Sequence, residues 1–213
     1  MKSFGLCVFL VSAAASASTI TFASVGTALD PNQTNSTGLN TIPIAKHPAW
    51  ADPLAGSQWV SYGITGNPSA PGYFVVPNNT VVTFTQSFFL TGSPVSGFVS
   101  VMADDSTSII LNGITLMNEA TQDGNTYARC SDFQISCTSP TTVNLTSALH
   151  SGLNTLQFQV AQRHLVSFGL DYAGSASSTA TPEPSSVALL GFGLVGLSLA
   201  LRRRPGKTHH GGR

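Results

Sequence analysis

Short runs of apolar and β-branched residues recur between turn residues from residue 19 to residue 172, and none has the 3.6-residue period of a helix. Leu156, Phe158 and Val160 alternate with polar residues, so these three side chains are predicted to face a core. Strands are predicted at residues 57–62, 72–76, 81–90, 97–103, 108–111, 154–162 and 167–172, with a further N-terminal strand at 19–23. Such short strands with long irregular connections predict an all-β protein, an antiparallel β-sandwich of the jelly-roll type.

Two sequence signals predict where these strands turn. Asn112 and Gly113 follow an apolar run, and this dipeptide favours the positive φ angles of a two-residue hairpin. The run Pro77, Asn78 and Asn79 predicts a second turn, because proline presets φ and asparagine tolerates the left-handed conformation.

The N-terminal residues have the three parts of a secretory signal peptide. Lys2 supplies the positive charge, residues 4–15 are apolar, and Ala15-Ser16-Ala17 is a small-residue cleavage pattern. We therefore expect residues 1–17 to be removed by signal peptidase and the mature chain to begin near Ser18.

A second apolar segment lies near the C-terminus, at residues 187–201, and contains no charged residue. As a helix it would span about 22 Å, which is short for a bilayer core but sufficient for a thin membrane span. Arg202, Arg203 and Arg204 follow it, and such a cluster is expected to stay cytoplasmic. The segment is therefore predicted to be a transmembrane helix, with everything before Pro184 outside the cytoplasm.

The C-terminal segment resembles the PEP-CTERM sorting domain of bacterial exported proteins. The resemblance rests on Pro182, Glu183 and Pro184, on the apolar segment, and on the arginine cluster, in that order, within residues 182–207; residues 208–213 form a short tail. It implies processing by a membrane-embedded exosortase, so that the protein is membrane-anchored before sorting and then lies at the cell surface or in the extracellular matrix. It also implies an association with exopolysaccharide and biofilm.

The charge distribution excludes one class of function. Only 8% of residues are charged. Between Ser18 and Pro182 there are three Lys or Arg residues and eight Asp or Glu residues, so this part of the chain carries a net charge of −5. A nucleic-acid-binding protein needs a basic surface, and no nucleic-acid partner is expected.

Cys130 and Cys137 are the two cysteines that remain after the signal peptide, which contains Cys7, is removed. Oxidising conditions outside the cytoplasm favour a disulfide between them, whereas the sequence offers no further soft ligands for a metal site. The disulfide is predicted to close a small loop within the long connection before residue 141.

Asp104 and Asp105 form the only adjacent pair of carboxylates in this part of the chain. They are candidates for calcium binding, although the absence of a spaced Asp motif favours a solvated turn. Adjacent carboxylates diverge, which disfavours a glycosidase pair.

His47, His150 and His164 are isolated, and no nucleophile motif appears. The sequence therefore predicts no catalytic residues, no enzyme activity and no required cofactor.

Trp50, Trp59, Tyr62 and Tyr73 are the aromatic side chains best suited to stack on sugar rings, although core packing is the expected role of at least two of them. Residues 102–116 and 145–160 resemble segments of the galactose-binding-like jelly rolls found in carbohydrate-binding and glycosidase accessory domains. In that resemblance a strand enters an acidic turn, a second strand ends in Asn-Gly, and a later strand closes the sheet. It implies a jelly roll and, less specifically, a carbohydrate ligand.

These observations divide the chain into a signal peptide, a β-sandwich domain at 18–172, a Ser, Ala and Thr-rich linker at 173–181 and the sorting segment. The leading hypothesis is a non-enzymatic surface or matrix protein. The alternatives are a carbohydrate-binding module on the cell surface and, with less support, a glycosidase or an esterase.

Overall fold

The computed structural model describes residues 17–119, 137–163, 166–179 and 190–198. Residues 17–180 form one compact unit, and within its described ranges the chain forms eleven strands and a short 3-10 helix, Thr146–Ala148. The strands are β1 (Ala17–Ala23), β2 (Gln33–Asn35), β3 (Ile42–Pro43), β4 (Val60–Ser61), β5 (Val81–Leu90), β6 (Ser93–Asp104), β7 (Ser106–Leu111), β8 (Ile114–Met117), β9 (Thr141–Asn144), β10 (Gly152–Ala161) and β11 (Gly169–Thr179).

The strands form two antiparallel sheets. Sheet A has the order β3-β4-β11-β6-β9, and β1 also pairs with β11, while sheet B has the order β2-β5-β10-β7-β8. The all-β sandwich predicted from the sequence is confirmed, and its two antiparallel sheets are consistent with a jelly roll.

The core lies between the two sheets and follows the alternation of the strands. In β10, Leu156, Phe158 and Val160 are completely buried, as the sequence predicts. In β5, Phe84 is buried on the same principle and pairs with Phe158 across the two strands. In β5 and β10 alternate residues are buried, and the side chains between them lie on the outer face of the sandwich.

Both predicted turns are present. Asn112 and Gly113 have φ angles of 52° and 81°, and they connect β7 to β8 as a hairpin. Asn79 has a φ angle of 63° and ends the turn before β5.

Several strand boundaries differ from the sequence prediction. Residues 72–76 form no strand, and the run predicted at 57–62 is a strand only at Val60–Ser61. The short strands β2 and β3 were not predicted, because two or three residues at a sheet edge carry too little alternation to be recognised.

The predicted linker is largely part of the domain. Residues 173–179 continue β11 and pair on one side with β1 and on the other with β6. Small residues are needed here for packing: a Cβ atom on Gly174 would lie 2.6 Å from the Phe22 ring and still closer to the carbonyl oxygen of Phe98. Small residues, which suggested a flexible linker, therefore allow residues 173–179 to pack closely as a strand between β1 and β6.

Residues 190–198 form a helix, α1, which belongs to the other compact unit of the chain and whose residues are exposed. Within the ranges that the structure describes, no helix is both long enough and apolar enough to cross a membrane. The signal peptide before Ala17, the Pro182-Glu183-Pro184 motif and the arginine cluster at 202–204 lie outside the described residues.

Candidate functional site

The outer face of sheet A, the side turned away from sheet B, has two halves. In the covered half, residues 44–59 pack over outward positions of β6 and β11, where Trp50 and Trp59 contact the buried Met102. In the open half, β1, β11 and β6 present small and hydroxyl-bearing side chains, and Phe98 is 48% exposed. The alternation of β6 places Phe98 outward, because its neighbour Val99 is completely buried in the core.

A groove of about 600 Å³ occupies the open half. Its floor is formed by Thr21 and Ala23 of β1, Ala173 and Ser175 of β11, and Ser100 of β6, and Phe98 also lines it. One wall is the loop of Leu54, Ala55 and Gly56. The volume is within the range of small-molecule sites, which is about 300–1,000 Å³.

Hydroxyl groups are paired across the strands of the open half. The Oγ of Ser100 lies 2.8 Å from the Oγ1 of Thr142, and the Oγ1 of Thr19 lies 2.8 Å from the Oγ of Ser177. A pair of hydroxyls uses one of its two hydrogens for the mutual bond, so each pair keeps one donor and several acceptor positions for a ligand.

The wall of the groove is anchored to sheet A by Asp171. This residue is completely buried, its Oδ2 accepts a hydrogen bond of 2.9 Å from the Leu54 N–H, and its Oδ1 accepts one of 3.0 Å from the Ser24 hydroxyl. Burial raises the pKa of the Asp171 carboxyl above its ordinary value, against the lowering effect of hydrogen bonds from Ser57, Leu54 and Ser24. The anchor holds the loop in place before any ligand arrives.

Of the four aromatic candidates for glycan stacking, Trp50 and Trp59 lie in the core, the role expected from the sequence for at least two of them. They are 2% and 1% exposed, and their ring centroids are 4.3 Å apart. Each indole N–H has a partner within the protein: Trp50 donates to Asp104 Oδ2 at 2.7 Å, and Trp59 donates to the Ala51 carbonyl oxygen at 3.0 Å. Neither aromatic face is available to a ligand, because residues 44–59 form a second small core with them.

Tyr62 and Tyr73 lie away from the groove. Tyr62 is partly buried and meets both Phe74 and Phe168 edge to face, at centroid distances of 5.9 Å. Tyr73 donates its hydroxyl hydrogen to the carbonyl oxygen of Val166. Both residues therefore pack loops together, although part of each ring remains accessible.

The sequence favoured a solvated turn at Asp104 and Asp105, and this expectation is wrong. Both are buried, at 4% and 3% exposure, and the Oδ2 of Asp105 accepts a 2.6 Å hydrogen bond from the backbone N–H of Arg163. Within the described ranges, no group of three or more His, Cys, Asp or Glu residues is placed to hold a metal ion.

The disulfide remains a prediction. Cys137 is completely buried beside Trp50 and Trp59, and its carbonyl oxygen accepts a 2.9 Å hydrogen bond from the Ala51 N–H. Cys130 lies outside the described residues.

Phe98 is the aromatic residue of this face that sequence reasoning missed. A signal for it was present: within residues 96–101, Phe98 has the same parity as Ser96 and Ser100, and the opposite parity from Val99 and Val101. An aromatic residue in the polar register of a strand is expected on the outer face.

Solved structures and one sequence-family model are similar to parts of this chain. Solved structures similar to this chain include two family 35 carbohydrate-binding modules. The module from Clostridium thermocellum has 14% identity and a TM-score of 0.39, and the match covers 74% of this chain and 97% of the module. The module from Paenibacillus barcinonensis has 12% identity and a TM-score of 0.38, and the match covers 76% of this chain and 99% of the module.

An α-L-rhamnosidase from Streptomyces avermitilis, solved with L-rhamnose, is similar at 16% identity and a TM-score of 0.40, but the match covers 64% of this chain and only 13% of that enzyme. At these TM-scores no ligand is assigned by likeness. No curated protein matches the chain in sequence.

Residues 180–204 match the model of the PEP-CTERM protein-sorting motif. The chain therefore carries a PEP-CTERM sorting motif, which implies an exported protein that is sorted through the membrane.

Proposed function

We propose that this protein is a non-enzymatic, exosortase-processed protein of the cell surface or extracellular matrix, and that its β-sandwich binds a carbohydrate in the groove on the open half of sheet A. The sorting motif at residues 180–204 supports the first part of the proposal. The association with exopolysaccharide and biofilm belongs to the proposal as well, because bacterial matrix is the carbohydrate that such a protein would meet after export.

The observation that carries the proposal is the combination of an exposed aromatic ring with paired hydroxyls on a rigid sheet. Phe98 offers an apolar face on which the C–H groups of a sugar can pack. The pair of Ser100 and Thr142 lies on β6 and β9 beside it and can exchange hydrogen bonds with sugar hydroxyls. Both kinds of contact are provided by strands, and therefore need little reorganisation when the ligand binds.

The lining of the groove also supports a role without catalysis. None of the described side chains that line it is ionisable. Glycoside hydrolysis generally uses two carboxyl groups about 5–9.5 Å apart, and ester hydrolysis uses a nucleophile with an adjacent base. The described residues of the groove supply surfaces for binding and no side chain for acid-base chemistry.

The binding proposal is tested with the exported protein purified from its producer. Retention of the protein by the producer's own matrix polysaccharide, measured by affinity gel electrophoresis, is compared for the wild type and for Phe98→Ala. We expect the variant to bind at least about tenfold more weakly, because the ring is the central apolar contact.

Phe89→Ala is the matched control, because Phe89 is an exposed phenylalanine (61%) on β5 of the other sheet. This control should bind like the wild type. Equal binding by Phe98→Ala and the wild type would remove the groove as the site, and no binding by any of the three proteins would leave a purely structural role.

The sorting proposal has its own test. Cell fractionation and mass spectrometry of the mature protein should find residues 1–17 removed and the chain processed near Pro182–Pro184. An intact chain in the cytoplasm would contradict export.

A further inference from the structure

We infer that the groove selects an uncharged polysaccharide and excludes acidic ones; this inference rests on the proposed function and specifies its ligand. Three observations lead to it: the chemistry of the lining, the pairing of the described basic residues of the domain, and the net charge of residues 18–182.

None of the described side chains of the lining recognises a carboxylate, sulfate or phosphate group. Its described side chains are small apolar residues, hydroxyl residues, one leucine and two phenylalanines. Tight binding of an anionic group generally needs an arginine, a lysine or a cluster of backbone N–H groups directed at it. Here the backbone N–H groups of β11 are used in pairing with its neighbouring strands.

In the part of the domain that the structure describes, both basic residues are paired away from the groove. Lys46 and Arg163 are the Lys and Arg residues in the described part of the domain. Lys46 lies 3.2 Å from Asp52 and donates to the Trp50 carbonyl oxygen at 2.7 Å. Arg163 donates two hydrogen bonds to the carboxylate of Glu119 and one to Asn79. Neither lines the groove.

The net charge of the domain also disfavours the binding of an acidic polysaccharide. Residues 18–182 carry a net charge of −5, and the wall of the groove rests on the carboxyl group of Asp171. A polyanion would lose its hydration shell and approach negative charge without gaining a cation from the described lining. A neutral polysaccharide has no such cost, and its hydroxyls match the donors and acceptors of the serine and threonine side chains.

The experiment separates the producer's matrix polysaccharide by anion exchange into a neutral and an acidic fraction. Affinity gel electrophoresis of the full mature protein is then run with each fraction, at about 0.02 M and about 0.5 M NaCl. We expect retention by the neutral fraction only, with an affinity that changes less than about twofold between the two salt concentrations, because contacts without charge are little screened.

A charge variant tests the physical argument directly. Thr21→Lys places a cation on an exposed floor position of β1. It is expected to add retention by the acidic fraction, and this added retention should be lost at the higher salt concentration. Thr85→Lys places the same cation on sheet B, outside the groove, and is expected to add none.

The outcomes distinguish this inference from the proposed function. Retention by the acidic fraction that depends on Phe98 would overturn the selection for neutral polymers and leave carbohydrate binding at this face intact. A Thr21→Lys protein that gains no more acidic retention than Thr85→Lys would contradict the charge argument. Retention by neither fraction would remove the proposed function itself.

Discussion

The two halves of the outer face of sheet A are built on the same strands and have opposite properties. Along β11 the outward positions run from Gly169 and Asp171 in the covered half to Ala173 and Ser175 in the open half. In the covered half, two tryptophans of the loop at residues 44–59 are buried against the sheet, whereas the open half leaves one phenylalanine on the surface. The loop of residues 44–59, and not the strands, therefore determines which part of the face is buried and which part is accessible to a ligand.

The largest expected difference between the two halves is in stability. Trp50→Ala should lower the free energy of unfolding by about 3–5 kcal/mol. The substitution leaves a cavity in a packed site and removes the indole N–H that donates to the buried Asp104 carboxylate. Phe98→Ala should cost about 1 kcal/mol or less, since its ring is half exposed. Urea unfolding of both variants measures the difference, and similar costs would mean that the two halves are not distinct.

The boundary between the halves depends on Asp171. Asp171→Asn should lower the free energy of unfolding by about 1–3 kcal/mol, because the amide NH2 group cannot accept one of the hydrogen bonds that the carboxyl group accepts. Glycan binding should weaken with it, because Leu54 in the wall loses its anchor. An unchanged affinity in this variant would show that the wall is not part of the site.

The same residue predicts a dependence on pH. Burial raises the pKa of Asp171 in the folded state, so between its unfolded and folded pKa values the native state binds more protons than the unfolded state. The contribution of Asp171 to stability is therefore greatest below the unfolded pKa and decreases as the pH rises through the folded pKa.

The pKa of Asp30 is lowered: hydrogen bonds from Gln86, Asn32 and Gln33 outweigh desolvation, which acts to raise it. Its contribution, lost as the pH falls, is common to the wild type and to Asp171→Asn. The difference in melting temperature between these two proteins should therefore widen as the pH is lowered from neutral towards about pH 4. A constant difference would contradict the raised pKa.

The smallest expected effect is in the open half. Ser100→Ala removes one hydroxyl of the pair with Thr142 and should change the free energy of unfolding by no more than about 0.5 kcal/mol. It should weaken glycan binding about threefold, the value of one neutral hydrogen bond. Ser87→Ala on β5 of sheet B is the control and should leave binding unchanged. If the two variants bind alike, the hydroxyls of the open half take no part in recognition.

Sequence reasoning succeeded where a local pattern determines the structure. The alternation around Phe158 identified three core residues, and Asn112-Gly113 identified a hairpin, because both depend on neighbouring residues alone. It could not place Trp50 and Trp59, because their burial depends on a loop folding back over strands that are about 45 to 120 residues distant in sequence.

The same limit explains the assignment of residues 173–179 as a linker. Their Ser, Ala and Gly content is that of a flexible segment, and only the pairing with β1 and β6 shows that small side chains permit close packing. Phe98 could have been found from its parity, whereas the groove beside it could not, since its wall is supplied by Leu54 through a contact with Asp171.

If the groove binds a polymer, as proposed, the course of strand β11 has a mechanical consequence. Ser175 lies in the floor of the groove, and the strand ends at Thr179, directly before the sorting motif that begins at residue 180. A pull on a polymer in the groove would therefore be transmitted along one strand into the C-terminal segment. The hydrogen-bonded neighbours β1 and β6 would bear this load side by side, and the hydrophobic core between the sheets would not have to carry it.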